Sequence, residues 1–186
     1  MTCSGEMTFK ERRRDLAGLL ARLLFRSLQN SCSLPGKWLE VFAPEKIDEE
    51  RSGSLVEVRL VKWPPRFRLS IHSDDGGSVI GYGVFRPPSM NRRSNDEGLY
   101  EYLEKLVSRR SQTPVHWAWY REMEEPLRDF SQRDTMIEVQ KIRRGETSSG
   151  DAAFRQASDD LVRLAEALDG WYSERQRPHA DLPLHC

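Results

Sequence analysis

The hydrophobic positions of this chain recur with a helical period near both ends and with a strand period between them. Near the N-terminus, apolar side chains recur three and four positions apart, which predicts an amphipathic helix of about five turns. A second stripe predicts a helix over residues 151–172, and a shorter helix follows a capping box at Ser94 and Glu97. The first stripe consists of Phe9, Leu16, Leu19, Leu20, Leu23, Leu24 and Leu28, and the second of Phe154, Ala157, Leu161, Leu164, Ala165, Leu168 and Tyr172.

Four extended segments lie between these helices, at residues 38–42, 55–63, 67–71 and 79–85. The clearest signal is a hairpin over residues 66–85, in which Phe67, Leu69 and Ile71 alternate with polar side chains. Its turn is the Asp-Asp-Gly-Gly sequence at 74–77, since Asp and Gly tolerate the backbone angles of a tight turn. Short connections between the four segments favour a sequential antiparallel meander.

The pattern predicts a single α+β domain with a long N-terminal helix, a four-stranded antiparallel meander and C-terminal helices packed on one face. We expect the domain at residues 9–172, between a disordered N-terminus at 1–8 and a flexible C-terminal tail at 173–186. Two segments lack a clear period. Residues 113–120, dense in aromatics, fit a strand or a turn, and residues 135–142 also stay undecided.

Composition narrows the class of function without identifying it. Lys plus Arg equals Asp plus Glu at 29 each, so no overall charge attracts the chain to nucleic acid or to an anionic membrane. Three widely spaced cysteines match neither a disulfide framework nor a zinc site, and they suit a reducing cytoplasm. No apolar run reaches membrane-spanning length. We therefore expect a cytoplasmic protein that does not bind a membrane, and its oligomeric state stays open.

Candidate catalytic residues are few. No Gly-x-Ser-x-Gly elbow or dinucleotide-binding glycine pattern occurs, and we expect no cofactor and no metal. His72 could act as a base oriented by the turn aspartates, although the turn itself accounts for those acids. Asp48 and Glu57 come closest to the carboxylates of a metal-dependent nuclease, but Arg59 stands where a lysine would be needed. The sequence favours a non-enzymatic function. If the protein is an enzyme instead, the predicted catalytic residues are Asp48, Glu57 and His72.

Tryptophan and arginine supply the candidate binding residues, because these types dominate binding hot spots. The chain has five tryptophans and 23 arginines. Arginine clusters could also hold a phosphate backbone while bases stack on the indoles, although acidic neighbours make a solvated surface the alternative interpretation. The predicted binding residues are Trp63, Arg66, Arg68, Arg92, Arg93, Trp117 and Trp119.

Three features together resemble the C-terminal portion of some PD-(D/E)XK nuclease superfamily proteins. They are Gly81-Tyr82-Gly83-Val84, the tryptophan-rich residues 117–120 and the closing helix at 161–169. The resemblance covers residues 63–169, and the acid and acid-x-lysine signature of the catalytic strands has no counterpart here. It therefore implies a stand-alone, non-catalytic recognition or inhibitory module from mobile-element or defence biology, with no active-site residue carried over.

Three hypotheses about function follow. We expect a non-enzymatic binding or inhibitory module that engages a protein or nucleic-acid partner through the exposed face of the sheet or the aromatic segment around Trp117. The first alternative is a degenerate or unusual metal-dependent nuclease. The second alternative is a subunit of a larger complex, in which the leucine stripe of the first helix faces a partner.

Overall fold

The structure is a computed structural model that describes residues 9–42, 54–63, 68–73, 78–85, 98–107 and 117–176. Within these residues it contains four helices and five strands, which confirms the α+β class. In chain order they are α1 (Phe9–Ser31), β1 (Trp38–Phe42), β2 (Ser54–Leu60), β3 (Arg68–Ser73), β4 (Ile80–Phe85), α2 (Leu99–Val107), β5 (Trp117–Glu122), α3 (Arg133–Arg144) and α4 (Asp151–Gln176).

The strands form one antiparallel sheet in which each strand pairs with the next along the chain. β3 and β4 form the expected hairpin, in register from Arg68 opposite Phe85 to Ser73 opposite Ile80. The sequential order of the first four strands is therefore confirmed. The turn at 74–77 lies outside the described residues.

The sheet has one strand more than the expected four, because residues 117–122 extend the meander as β5 beside β4. The prediction missed this strand because of a bulge in β5. Trp117 is opposite Phe85 and Trp119 is opposite Val84, so Ala118 is an extra residue on this strand. The bulge interrupts the period of two on which strand prediction depends, and the sequence alone therefore could not separate strand from turn.

Helix α3 falls in the other segment that the sequence left undecided. Its buried side chains are Thr135, Glu138 and Val139, so it lacks an apolar stripe like that of α1. Gly145 follows its last residue, and the φ of 70° at this glycine lies in the left-handed region that glycine adopts without strain. The Gly145 N–H donates to the carbonyl oxygen of Ile142 at 3.1 Å, which closes the last turn of the helix.

The carboxylate of Glu138 joins α3 to the start of α4. It accepts hydrogen bonds from Lys141 Nζ at 2.7 Å, from Ser148 Oγ at 2.6 Å and from the Ser149 N–H at 2.8 Å. Ser148 Oγ in turn accepts from the Gly150 N–H at 3.0 Å, which satisfies a donor at the start of α4. The hydrogen bonds from Lys141 and Ser148 lower the pKa of Glu138 from 4.5 to about 2.

One face of the sheet, the core face, packs against the helices. Its side chains come from alternate strand positions and belong to the same buried cluster as residues of all four helices. The Tyr82 hydroxyl donates to Asp160 Oδ2 of α4 at 2.8 Å, which ties the sheet to that helix. The strand residues of the core face include Val56, Val58, Leu60, Leu69, Ile71, Ile80, Tyr82, Val84 and Trp119.

The leucine stripe of α1 contributes to this same core. Leu20, Leu24 and Leu28 are fully buried, and α1 contacts α3, α4 and β2. The hydroxyls of Ser27 and Ser158 are hydrogen-bonded at 2.5 Å between α1 and α4. The hypothesis of a complex subunit that docks through this stripe stays a prediction, although Leu20, Leu24 and Leu28 are already buried against the chain's own elements.

The last helix extends past the expected domain boundary at residue 172, since α4 ends at Gln176. Residues 1–8 and 177–186 lie outside the described part of the chain. Among the described helices, none combines the length and the apolarity that crossing a membrane requires.

Candidate functional site

The other face of the sheet, the polar face, carries the remaining strand side chains. In β3 its positions are Arg68, Ser70 and His72, which alternate with the core residues Leu69 and Ile71. Residues directly opposite each other on neighbouring strands share a face. The register therefore assigns to the polar face Glu57, Arg68, Ser70, His72, Phe85, Trp117 and Tyr120, together with Gly81 and Gly83.

A buried ion pair lies on the polar face. Arg68 Nη1 is 2.7 Å from Glu57 Oε2, and the two side chains are 9% and 0% exposed. Glu57 is opposite Ser70 in the register, so the guanidinium reaches diagonally across to the carboxylate. The same guanidinium lies over the ring of Phe85, 5.4 Å from its centroid. Because burying either charge alone would be costly, each of the two charged side chains depends on the other.

Two polar atoms beside this pair have no hydrogen-bond partner within the described part of the chain, namely Arg68 Nε and Ser70 Oγ. Ser70 is 1% exposed and Arg68 is 7% exposed, so bulk water does not replace the missing partners. Buried polar groups are nearly always hydrogen-bonded, since an unsatisfied one costs about 1–3 kcal/mol. Folding alone therefore does not explain why these residue types occupy these positions.

Trp117 contacts three other rings on the polar face. Its ring centroid is 5.8 Å from that of His72, 5.5 Å from that of Phe85 and 4.9 Å from that of Tyr120. β4 separates the strands of His72 and Trp117, which puts these strands roughly 9–10 Å apart. The register also offsets the two residues along the strands, since His72 is opposite Gly81 and Trp117 is opposite Phe85. The shorter distance between the His72 and Trp117 rings shows that these side chains lean toward each other across β4.

Glycine at two positions of β4 permits this arrangement. A Cβ at Gly81 would overlap the ring of Tyr120, and a Cβ at Gly83 would overlap the carbonyl oxygen of Trp119. The two glycines therefore allow an aromatic ring and a neighbouring backbone to approach β4 closely. The missing side chains leave space above β4 that the aromatic residues of β5 occupy.

Two of the predicted binding residues belong to the core. Trp63 and Trp119 are fully buried. The Trp63 Nε1–H donates to Asp169 Oδ1 at 2.7 Å, and the Trp63 ring meets that of Trp38 edge-on with centroids 5.7 Å apart. Because Trp63 is 1% and Trp119 is 0% exposed, neither indole can stack on a partner without leaving the core, whereas Trp117 keeps 9% of its surface exposed. The expected contact of Trp63 and Trp119 with a partner stays untested, and in this structure both side chains pack in the core.

The other predicted residues fall into two groups. Arg68, Trp117, Glu57 and His72, which the sequence assigned to different hypotheses, lie together on the polar face. Arg66, Arg92, Arg93 and Asp48 lie outside the described residues, as do the aspartates at 74 and 75 that were expected to orient His72.

Glu57 is arranged as an ion-pair partner. Its carboxylate is fully buried and accepts a hydrogen bond from Arg68. Arg59, at the position where the nuclease hypothesis needs a lysine, donates to the carbonyl oxygen of Trp63 at 2.6 Å. In the described ranges, no group of three His, Cys, Asp or Glu side chains could hold a metal ion. Of the two carboxylates that the nuclease hypothesis predicts, the described residues include only that of Glu57, which is already paired with Arg68.

The sequence interpretation missed Ser70, Phe85 and Tyr120. Ser70 lies between Arg68 and His72 on one strand, so the period of two could have assigned it to the same face. Phe85 and Tyr120 join the site through the pairing of β4 with β5, which the bulge at Ala118 concealed.

Comparisons with protein-family models, with curated proteins and with solved structures gave no match to this chain. The resemblance to PD-(D/E)XK nucleases therefore stays a prediction.

Proposed function

We propose that this chain is a non-enzymatic binding or inhibitory module that engages a protein partner through the polar face. One observation carries this proposal: the ring cluster around Trp117 lies on the same sheet face as a buried ion pair with unsatisfied polar atoms beside it. Trp, Tyr and Arg are the types that contribute most to binding hot spots. The core face is filled by a separate set of residues, so packing of the helices does not require these side chains.

Charge favours a protein partner over a nucleic acid. The net charge of the chain is zero, and each described arginine of the polar face is already bound within the chain, Arg59 to the carbonyl oxygens of Leu60, Val61 and Trp63. Arg68 is bound to Glu57, and Arg128 Nη2 lies 2.7 Å from Glu122 Oε2 beside the end of β5. Nucleic-acid binding depends on cations that are available to neutralise phosphates. A partner with its own apolar and neutral polar groups suits this face better.

The variant Trp117→Ala tests the proposal. Immobilised protein is incubated with native lysate, and the retained proteins are identified by mass spectrometry for the wild type and the variant. Truncating a hot-spot residue costs about 2 kcal/mol or more, so we expect retention of the specific partner to fall by at least about tenfold. Circular dichroism checks that the variant folds. Ile137→Ala is the matched control, because Ile137 is an exposed apolar residue of α3, and it should retain the same proteins as the wild type.

Equal retention of every protein by the wild type and by Trp117→Ala would contradict the proposal. A parallel incubation with labelled single-stranded DNA and RNA decides between the two classes of partner. Binding of either strand, lost in Trp117→Ala, would replace the protein partner with a nucleic acid.

A further inference from the structure

Ser70 Oγ and Arg68 Nε are two buried donors on one side of one strand. Their residues are two positions apart on β3, which separates their backbones by roughly 7 Å. Neither atom has a hydrogen-bond partner in the described part of the chain, and both side chains are more than nine-tenths buried. Glu57 lies directly opposite Ser70, yet the serine hydroxyl does not use its carboxylate. These two donors require an acceptor that the described residues do not provide.

The charge balance of the site limits what that acceptor can be. Glu57 already compensates the charge of Arg68 at 2.7 Å. A carboxylate or phosphate placed beside the pair would add a second negative charge at a site almost closed to solvent, and the guanidinium of Arg59 on the same face is held by backbone carbonyl oxygens instead. Such a charge is costly to bury. A neutral acceptor takes hydrogen bonds from both donors without that cost.

The surroundings of the donors indicate the rest of the ligand. The Arg68 guanidinium lies over Phe85, whose ring meets that of Trp117, and Trp117 also contacts His72 two residues from Ser70. An acceptor that reaches Ser70 and Arg68 therefore passes along aromatic surfaces, which favour a planar group with an apolar neighbour.

Resting on the proposed function, we infer that the polar face receives a neutral carbonyl group of the partner, from a peptide bond or a side-chain carboxamide. This carbonyl oxygen accepts hydrogen bonds from Ser70 Oγ and Arg68 Nε, while Trp117 and Phe85 contact the atoms next to it. The ion pair with Glu57 holds the guanidinium in position and makes the site select against anions.

A small amide tests this directly. N-methylacetamide is titrated into the full chain, and the Arg68 Nε–H signal is followed in a ¹H–¹⁵N correlation spectrum, assigned by its absence in Arg68→Lys. We expect a saturating shift of this signal, and no such shift with sodium acetate or sodium phosphate at matched ionic strength. Ser70→Ala removes one of the two donors and should weaken the amide about tenfold. The same variant should melt at or above the wild-type temperature, since it removes an unsatisfied buried hydroxyl.

Each other result overturns the inference. Saturation by acetate or phosphate in place of the amide would make this an anion site. A linear response to all three probes would mean that a buried water molecule satisfies the donors. An unchanged amide affinity in Ser70→Ala, or a lower melting temperature, would give Ser70 a structural role. If Trp117→Ala abolishes partner retention while the amide titration fails, only this inference fails. If Trp117→Ala changes no retention, the proposed function fails regardless of the amide titration.

Discussion

Two buried carboxylates of this chain, those of Glu138 and Glu57, each face a cation, and their surroundings differ. At the junction of α3 and α4, Glu138 accepts from Lys141, Ser148 and Ser149, and the Ser148 hydroxyl also accepts from a backbone N–H. On the polar face, Glu57 accepts from Arg68, while Ser70 Oγ and Arg68 Nε lack a partner among the described residues.

The hydrogen bonds of the Glu138 cluster are satisfied within the chain, whereas two donors beside Glu57 have no partner among the described residues. The serine beside Glu138 satisfies a helix start and has both a donor and an acceptor role in the chain. The serine beside Glu57 has neither role within the described residues. A fully connected polar network specifies structure, whereas a partly satisfied one is costly to keep for structure alone. The polar face is therefore the better place to look for function.

The largest expected effect is at Arg68. Arg68→Met leaves the Glu57 carboxylate buried without its cation, and we expect the free energy of unfolding to fall by about 3–5 kcal/mol. Urea denaturation measures this change. The double variant Glu57→Leu with Arg68→Met should recover most of the loss, because an apolar pair of similar size avoids the buried charge. A single variant as stable as the wild type would show that Glu57 does not depend on Arg68.

The two serines should respond in opposite directions. Ser148→Ala removes a donor to Glu138 and an acceptor for the start of α4, so we expect a loss of about 1–2 kcal/mol in the free energy of unfolding. Ser70→Ala is the matched control, since it removes the same group at a site where the described residues supply no partner. Thermal and urea unfolding of both variants compare them. Equal losses at the two positions would remove the distinction between the clusters.

The smallest effect is the pH dependence that Glu138 introduces. Its folded pKa of about 2 lies below its ordinary value of 4.5, so the unfolded chain takes up a proton first as the pH falls. The stabilisation from ionised Glu138 is therefore complete above about pH 5 and is lost between pH 4.5 and pH 2. Urea unfolding from pH 2 to pH 6 should show a smaller decline for Glu138→Gln than for the wild type. Identical declines would mean that other carboxylates set the acid response.

The elements that were predictable from sequence are those with a local period. The α1 stripe, the β3–β4 hairpin and α4 each repeat a pattern along their own length. β5 and α3 lack such a period. In β5 a bulge interrupts the alternation, and in α3 the polar residues Thr135 and Glu138 occupy buried positions where an apolar stripe would have leucines. For the polar face, the sequence could predict only which types of residue take part, and it could not predict which of them are in contact. Arg68 and Glu57 are 11 positions apart in the sequence. Their contact depends on the register of β2 against β3, which the spacing of residues along the chain does not predict.

The bulge at Ala118 has a consequence for how substitutions in β5 act. In a regular strand, Trp117 and Trp119 would point to the same side, since they are two residues apart. The extra residue sends Trp119 into the core and Trp117 onto the polar face. Substitution of Trp119 therefore acts on the core, whereas substitution of Trp117 acts on the polar face and its ring cluster. One backbone irregularity thus places two tryptophans on opposite faces of the sheet within three residues.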